Sequence, residues 1–106
     1  MQIERNLVSI ERLILLEGER EPSETDLQAL YPRFRTLIGA IEGVESVRIG
    51  RNFRADSQRY TLGVAIRFSS RAALDAYGPH PNHVAATELM RPYMKNFVVV
   101  DFESAD

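Results

Sequence analysis

Histidine is the side chain best suited to give or take a proton near neutral pH, because its ordinary pKa is about 6.5. The 106-residue sequence contains only two, His80 and His83, which lie on either side of Pro81 and Asn82. His83 is a candidate acid or base, or else a packed core histidine with satisfied hydrogen bonds. For His80, directly before a proline, the simpler interpretation is a ring that fixes a turn through backbone hydrogen bonds.

Aromatic side chains could line a ligand cavity around such a histidine, because their rings are apolar and a tyrosine hydroxyl can orient a ligand. The candidates are Tyr60, Phe68, Tyr77 and Tyr93. Each of them also fits a core position, and core packing is the simpler interpretation for Phe68.

The sequence lacks the pattern of ligands that a metal site needs. It has no Cys and two His, and its carboxylates are scattered, so it falls short of the usual zinc spacings. We expect no metal and no cofactor. The lack of Cys also excludes disulfides and thiolate chemistry.

Length and charge narrow the remaining classes of protein. A chain of 106 residues is enough for one core, and we expect a single domain over residues 1–106 with an ordered core from about residue 7 to about residue 103. The net charge of −2 gives no positive field to hold nucleic acid or an anionic membrane. Charged residues interrupt the first sixteen positions, so we expect neither a signal peptide nor a membrane span, and a cytoplasmic location follows by default.

In the first half of the chain, the apolar pattern predicts a strand and then a helix. The run Leu13 to Leu16 predicts a buried strand. Ser23 and Asp26 have the spacing of a capping box, and a 3.6-residue apolar repeat continues from there to Ile41. Pro32 lies inside this repeat, which predicts a kink or two shorter helices. The predicted buried stripe comprises Leu27, Leu30, Tyr31, Phe34, Leu37, Ile38 and Ile41.

Two strands, a helical region and a last strand are predicted next. Residues 44–51 are predicted to form a strand, and strict alternation over residues 59–68 is the clearest strand signal in the sequence. Serine and proline signals predict short helices that begin near Ser70 and at Pro81. The β-branched run within residues 96–102 predicts a strand buried on both faces, followed by a frayed tail over residues 104–106.

The order strand, helix, strand, strand, helical region, strand predicts a ferredoxin-like βαββαβ subunit of the α+β class. Helices cover only one face of such a sheet. Pairing two sheets in a closed dimeric α+β barrel would hide the other face and its edges. We therefore expect a homodimer.

Two segments resemble the stress-responsive A/B barrel (Dabb) family. They are residues 73–83, which read ALDAYGPHPNH, and residues 98–103, which read VVVDFE. The resemblance extends more loosely over nearly the whole chain from about Leu13. It implies a ferredoxin-like subunit that dimerises through its sheets, with a central cavity in each half.

One branch of this family, a plant polyketide cyclase, implies roles for individual residues. The resemblance places an acid–base role on His83, and the family's tyrosine before the motif is matched by Tyr77. The cyclase branch also has a histidine on the first strand, where this sequence has Arg12 or Glu11 instead.

Three interpretations follow. The leading one is a homodimeric protein whose cavity takes a small, largely apolar or aromatic ligand, with His80, His83, Tyr77, Arg12 and Tyr60 as contacts. The first alternative is a cofactor-independent cyclase, isomerase or lyase, in which His83 moves a proton and Tyr77 orients the substrate. The second is a structural protein with a filled barrel, favoured if the cavity at His83 is well below about 300 Å³.

Overall fold

The computed structural model describes residues 8–18, 20–54 and 59–105. Its four strands form one antiparallel sheet in the order β2-β3-β1-β4. The ferredoxin-like α+β prediction is therefore confirmed. The elements are β1 (Val8–Glu17), α1 (Glu24–Arg35), α2 (Leu37–Ala40), β2 (Val44–Arg51), β3 (Leu62–Phe68), α3 (Arg71–Tyr77), α4 (Pro81–Met90), a 3₁₀ turn (Arg91–Tyr93) and β4 (Asn96–Ala105).

Helix α1 begins where the sequence predicts. The Ser23 hydroxyl accepts from the Asp26 amide at 3.1 Å, and the Ser23 amide donates to the Asp26 carboxylate at 2.9 Å. Pro32 lies inside α1, and the helical path is broken beyond it, at Ile38 and at Gly39, where φ is +89°. The break turns Ile38 outward, so its predicted place on the buried stripe is wrong.

The core lies between the helices and one face of the sheet. Alternate residues of β3 are buried, with intermediate positions between them, as the alternation predicts. Gly43 makes the turn into β2 with φ of +88°, and a Cβ there would clash with the Ala73 side chain. Only glycine fits this close approach without a shift of α3. The β3 residues in the core are Leu62, Val64, Ile66 and Phe68.

Strands β1 and β4 are longer than predicted. β1 starts at Val8, and Ser104 and Ala105 pair with it. The prediction of a frayed tail is therefore wrong for those two residues. Asp106 lies outside the described residues. The prediction that β4 is buried on both faces is also wrong for the single subunit, because β4 is the edge strand of the sheet and is exposed along nearly its whole length.

One side of the sheet is apolar and uncovered in the subunit. The register places Leu13 opposite Val100 and Leu15 opposite Val98, with Phe102 further along β4. These five side chains are between 41% and 50% exposed, and we call this surface the open face. The uncovered face predicted from the element order is therefore present, bordered by the small residues Gly63 and Ala65.

Candidate functional site

A cavity of about 240 Å³ lies on the helix-covered side of the sheet. Its volume is a little below the ~300–1,000 Å³ of drug-sized sites. The lining is mostly apolar, with four polar side chains. The lining residues are Arg12, Ile14, Leu16, Phe34, Val64, Ile66, Tyr77, His83, Thr87, Met90, Met94, Phe97 and Val99.

Tyr77 is the last residue of α3 and is almost fully buried. Its ring packs edge-on against Phe68, with centroids 5.0 Å apart, and lies 4.1 Å from the ring of His83. Burial raises the pKa of Tyr77 to about 12, opposed only in part by the positive charge of Arg12. The phenol therefore stays protonated at neutral pH and can act as a hydrogen-bond donor.

His83 is oriented by two contacts from neighbouring turns. Its Nδ1 lies 2.9 Å from the Gly78 carbonyl oxygen, which can only accept, so Nδ1 carries a proton. Its Nε2 lies 3.3 Å from the hydroxyl of Thr87, one helical turn later on α4. Nε2 is thus the ring nitrogen that can either donate or accept a hydrogen bond.

The Thr87 hydroxyl suits both states of that nitrogen. It also lies 3.0 Å from the His83 carbonyl oxygen, to which it can donate. When Nε2 is unprotonated, the hydroxyl can donate to the ring instead; when Nε2 is protonated, the hydroxyl oxygen can accept from it. The Thr87 hydroxyl can therefore keep a hydrogen bond to the ring in either case.

Arg12 supplies the positive charge of the cavity. Its Nε and Nη2 donate to the two carboxylate oxygens of Asp101 on β4, at 2.8 and 3.0 Å. This bidentate bond raises the pKa of Arg12 and lowers that of Asp101. Glu11 belongs to the opposite face and pairs with Arg67 at 2.7 Å. Of the two residues that the sequence left open at this position, Arg12 is therefore the one that lines the cavity.

His80 is placed apart from this cavity. Its Nδ1 accepts from the Asn82 amide at 3.1 Å and so caps the start of α4. Its ring borders a different, open cleft beside Gly43 and Ala76. The structure therefore gives His80 the turn-fixing contact that was its simpler interpretation, and does not bring it together with His83.

Tyr60 also lies away from the cavity. β3 begins at Leu62, so Tyr60 precedes the strand, and its carbonyl accepts from the Asn52 side chain at 3.0 Å. The Arg59 guanidinium lies 5.7 Å from its ring centre. Phe68 and Tyr93 are core residues and do not line the cavity.

Two polar residues of the site were missed by sequence reasoning. Thr87 had a usable signal, since a residue four positions after His83 on a helix lies on the same face. Asp101 had none, because its pairing with Arg12 depends on the register of β1 and β4.

No group of three potential ligands within residues 8–18, 20–54 and 59–105 could hold a metal ion. No helix in the same ranges is long and apolar enough to cross a membrane.

The fold and the cavity together define a ferredoxin-like α+β subunit with an apolar chamber beneath its helices. The family model of the stress responsive A/B barrel domain matches residues 10–104. The chain belongs to this family, and the resemblance seen in residues 73–83 and 98–103 is confirmed.

Relatives extend the comparison. The chain is 22% identical over 97 residues to olivetolic acid cyclase of Cannabis sativa, covering 90% of this chain and 96% of that protein. A dimeric ferredoxin-like protein of unknown function from Jannaschia sp. is 30% identical, with a TM-score of 0.73 and coverage of 91% and 99%. A hydroxynitrile lyase from Passiflora edulis shares the fold, with 11% identity, a TM-score of 0.75 and coverage of 91% and 93%.

Proposed function

We propose that this chain forms a homodimer in which each subunit binds a small, largely apolar molecule in the cavity beside Tyr77 and His83. The observation that carries the proposal is the cavity itself, an apolar space of about 240 Å³ with a few polar groups on its wall. Ligand sites generally combine an apolar lining with a few placed polar groups. The cytoplasmic location expected from the sequence stays a prediction, which cell fractionation would test.

Dimerisation is supported by the open face. Five large apolar side chains that are 41% to 50% exposed form a contiguous patch of a kind that isolated soluble proteins rarely leave in water. The 30% identical relative from Jannaschia sp. is described as dimeric. A second copy of the same sheet would cover the patch.

The dimer is tested by sedimentation at micromolar concentration. We expect a species of twice 12.1 kDa for the unaltered chain. Val100→Asp places a charge on the open face and should shift the species toward the subunit mass. Val84→Asp is the matched control, because Val84 on α4 is 49% exposed and Val100 is 50% exposed. A subunit-mass species for the unaltered chain would contradict the proposal.

Ligand binding is tested with ethylbenzene as a small apolar probe, followed by NMR shifts of Tyr77 and His83. Val99 lines the cavity, so Val99→Phe should fill it and weaken binding at least tenfold. Val84→Phe adds the same ring outside the cavity and should leave binding unchanged. Equal binding by both variants, or no binding by the unaltered chain, would overturn the assignment.

Acid–base catalysis is the second candidate function, favoured by the geometry of His83. Its Nδ1 is fixed on the Gly78 carbonyl, and its Nε2 has a proton partner in Thr87. The neighbouring Tyr77 can donate a hydrogen bond to a carbonyl oxygen and so orient it. This arrangement fits a cofactor-independent cyclase, isomerase or lyase, and the similarity to olivetolic acid cyclase supports it.

A proton-transfer assay can test this candidate before the physiological substrate is known. The protein is incubated with acetophenone in D₂O, and deuterium entering the methyl group is followed by NMR. We expect His83→Gln to lower the protein-dependent exchange rate by about 100-fold or more. His80→Gln is the control, because His80 caps α4 outside the cavity. Equal rates in the two variants would exclude His83 as the base.

A further inference from the structure

Arg12 keeps a donor edge that Asp101 does not use. A guanidinium has five N–H groups, and the two bonds to Asp101 occupy one on Nε and one on Nη2. Within residues 8–18, 20–54 and 59–105, no hydrogen bond within the protein uses Nη1. The Arg12 side chain is 22% exposed and lines the cavity, so this donor is available to a bound molecule.

Tyr77 supplies a second donor among the residues that line the cavity. No hydrogen bond between described residues occupies its hydroxyl, although no fully enclosed polar side-chain atom in those residues lacks a partner. The hydroxyl is therefore not sealed in the core, and Tyr77 lines the cavity. Its proton is retained because burial raises the pKa of Tyr77 to about 12. Arg12 lines the same cavity.

Asp101 cancels the charge of Arg12 at the cavity wall. The bidentate pair is net neutral, and the remaining lining is apolar apart from Tyr77, His83 and Thr87. A carboxylate that entered would lose its hydration and meet a guanidinium whose charge is already balanced. A neutral oxygen loses much less hydration and can accept the same hydrogen bonds.

We infer that the cavity selects a neutral ligand with an apolar body and one acceptor oxygen of the ketone type, held between Arg12 Nη1 and the Tyr77 hydroxyl. This inference rests on the proposed ligand-binding function and adds the ligand's chemical class. Asp101 is then a specificity residue, because its negative charge is what disfavours carboxylates.

Three ring-matched probes separate the possibilities: acetophenone with a ketone oxygen, ethylbenzene without an acceptor, and benzoate with a carboxylate. Dissociation constants are measured at pH 8 by NMR titration of the full chain. Because the free probes differ in hydration, the readout is how the ratio of two constants changes between variants. Hydration in water cancels in that comparison.

Arg12→Leu should weaken the binding of acetophenone relative to that of ethylbenzene by about 10-fold, which is the effect of losing one hydrogen bond to a charged donor. Tyr77→Phe should weaken the binding of acetophenone relative to that of ethylbenzene by about 3-fold, because it removes a neutral donor. Arg91→Leu is the control, since Arg91 makes a comparable two-bond pair with Glu88 outside the cavity. This variant should leave the ratio unchanged.

Asp101→Asn keeps Arg12 and removes the cancelling charge. We expect the affinity for benzoate to rise about 10-fold relative to the affinity for acetophenone. An unchanged ratio of the two dissociation constants would overturn the role of Asp101. If ethylbenzene binds but Arg12→Leu leaves the acetophenone ratio unchanged, the oxygen-specific inference is wrong while the apolar cavity stands. If none of the three probes shifts Tyr77 and His83, both the inference and the ligand-binding proposal are contradicted.

Discussion

The two faces of the sheet carry similar residues in opposite surroundings. On β1, Leu16 packs into the core beneath the helices, whereas its neighbour Leu15 lies on the open face and is 44% exposed. Each face also has an ion pair from β1: Arg12 with Asp101 on the cavity side and Glu11 with Arg67 on the other. Side-chain type is thus a poor guide to role here, because the layer packed on each face decides it.

The largest effect should come from an aromatic residue on the covered face. Phe68 is fully buried against Tyr77, so Phe68→Ala should lower the free energy of unfolding by about 3–5 kcal/mol through the cavity it leaves. Phe53→Ala is the control, because Phe53 is 97% exposed and its loss should stay within about 0.5 kcal/mol. Urea unfolding measures both, and similar losses would contradict the described core.

Neighbouring leucines test the two faces directly. Leu16→Ala should lower the free energy of unfolding by about 2–5 kcal/mol, because Leu16 is 3% exposed in the core. Leu15→Ala should have a smaller effect on subunit stability and instead weaken dimerisation. Urea unfolding at several protein concentrations separates the two effects. A larger loss of subunit stability for Leu15→Ala than for Leu16→Ala would mean that the two faces are wrongly assigned.

Thr87 tests the orientation of His83. If the hydrogen bond between the Thr87 hydroxyl and His83 Nε2 orients the ring, Thr87→Val should slow the deuterium exchange of acetophenone by about 3- to 10-fold. This is the loss expected for one hydrogen bond. Thr87→Ser keeps the hydroxyl and should restore most of the rate. Equal rates for the valine and serine variants would assign Thr87 a packing role alone.

The smallest effect should come from the pH dependence of the cavity-side ion pair. The hydrogen bond from Arg12 lowers the pKa of Asp101, so the pair stabilises the fold above the ordinary aspartate pKa of about 3.9. That contribution is lost as the pH falls through the lowered value. Asp101 is 36% exposed, so we expect less than about 1 kcal/mol. In urea unfolding, the free energy of unfolding of Asp101→Asn should fall less at acid pH than that of the unaltered chain. An equal fall in the two proteins would contradict this contribution.

Local patterns predicted the helices and β3 well because short-range physics determines them. The Ser23 and Asp26 capping box, the break beyond Pro32 and the alternation in β3 each depend on residues close in sequence. The start of β1 was missed because charged residues there, such as Arg12, are stabilised by partners distant in sequence. The end of β4 was missed because Ser104 and Ala105 are held by pairing with that same start of β1.

The site was predicted only in part for the same reason. Tyr77 and His83 lie within one local motif, and the structure brings their rings to 4.1 Å. His80 lies outside the cavity because it caps α4. Tyr60 lies outside it because β3 begins two residues later, at Leu62.

The sequence alone determined the order of elements, the family and the presence of a tyrosine and a histidine in one motif. Only the tertiary structure decided that Arg12, and not Glu11, lines the cavity, and that Asp101 balances its charge. Strand alternation assigns adjacent residues to opposite faces, and the register of β1 and β4, fixed by contacts across the whole chain, determines which partners they meet.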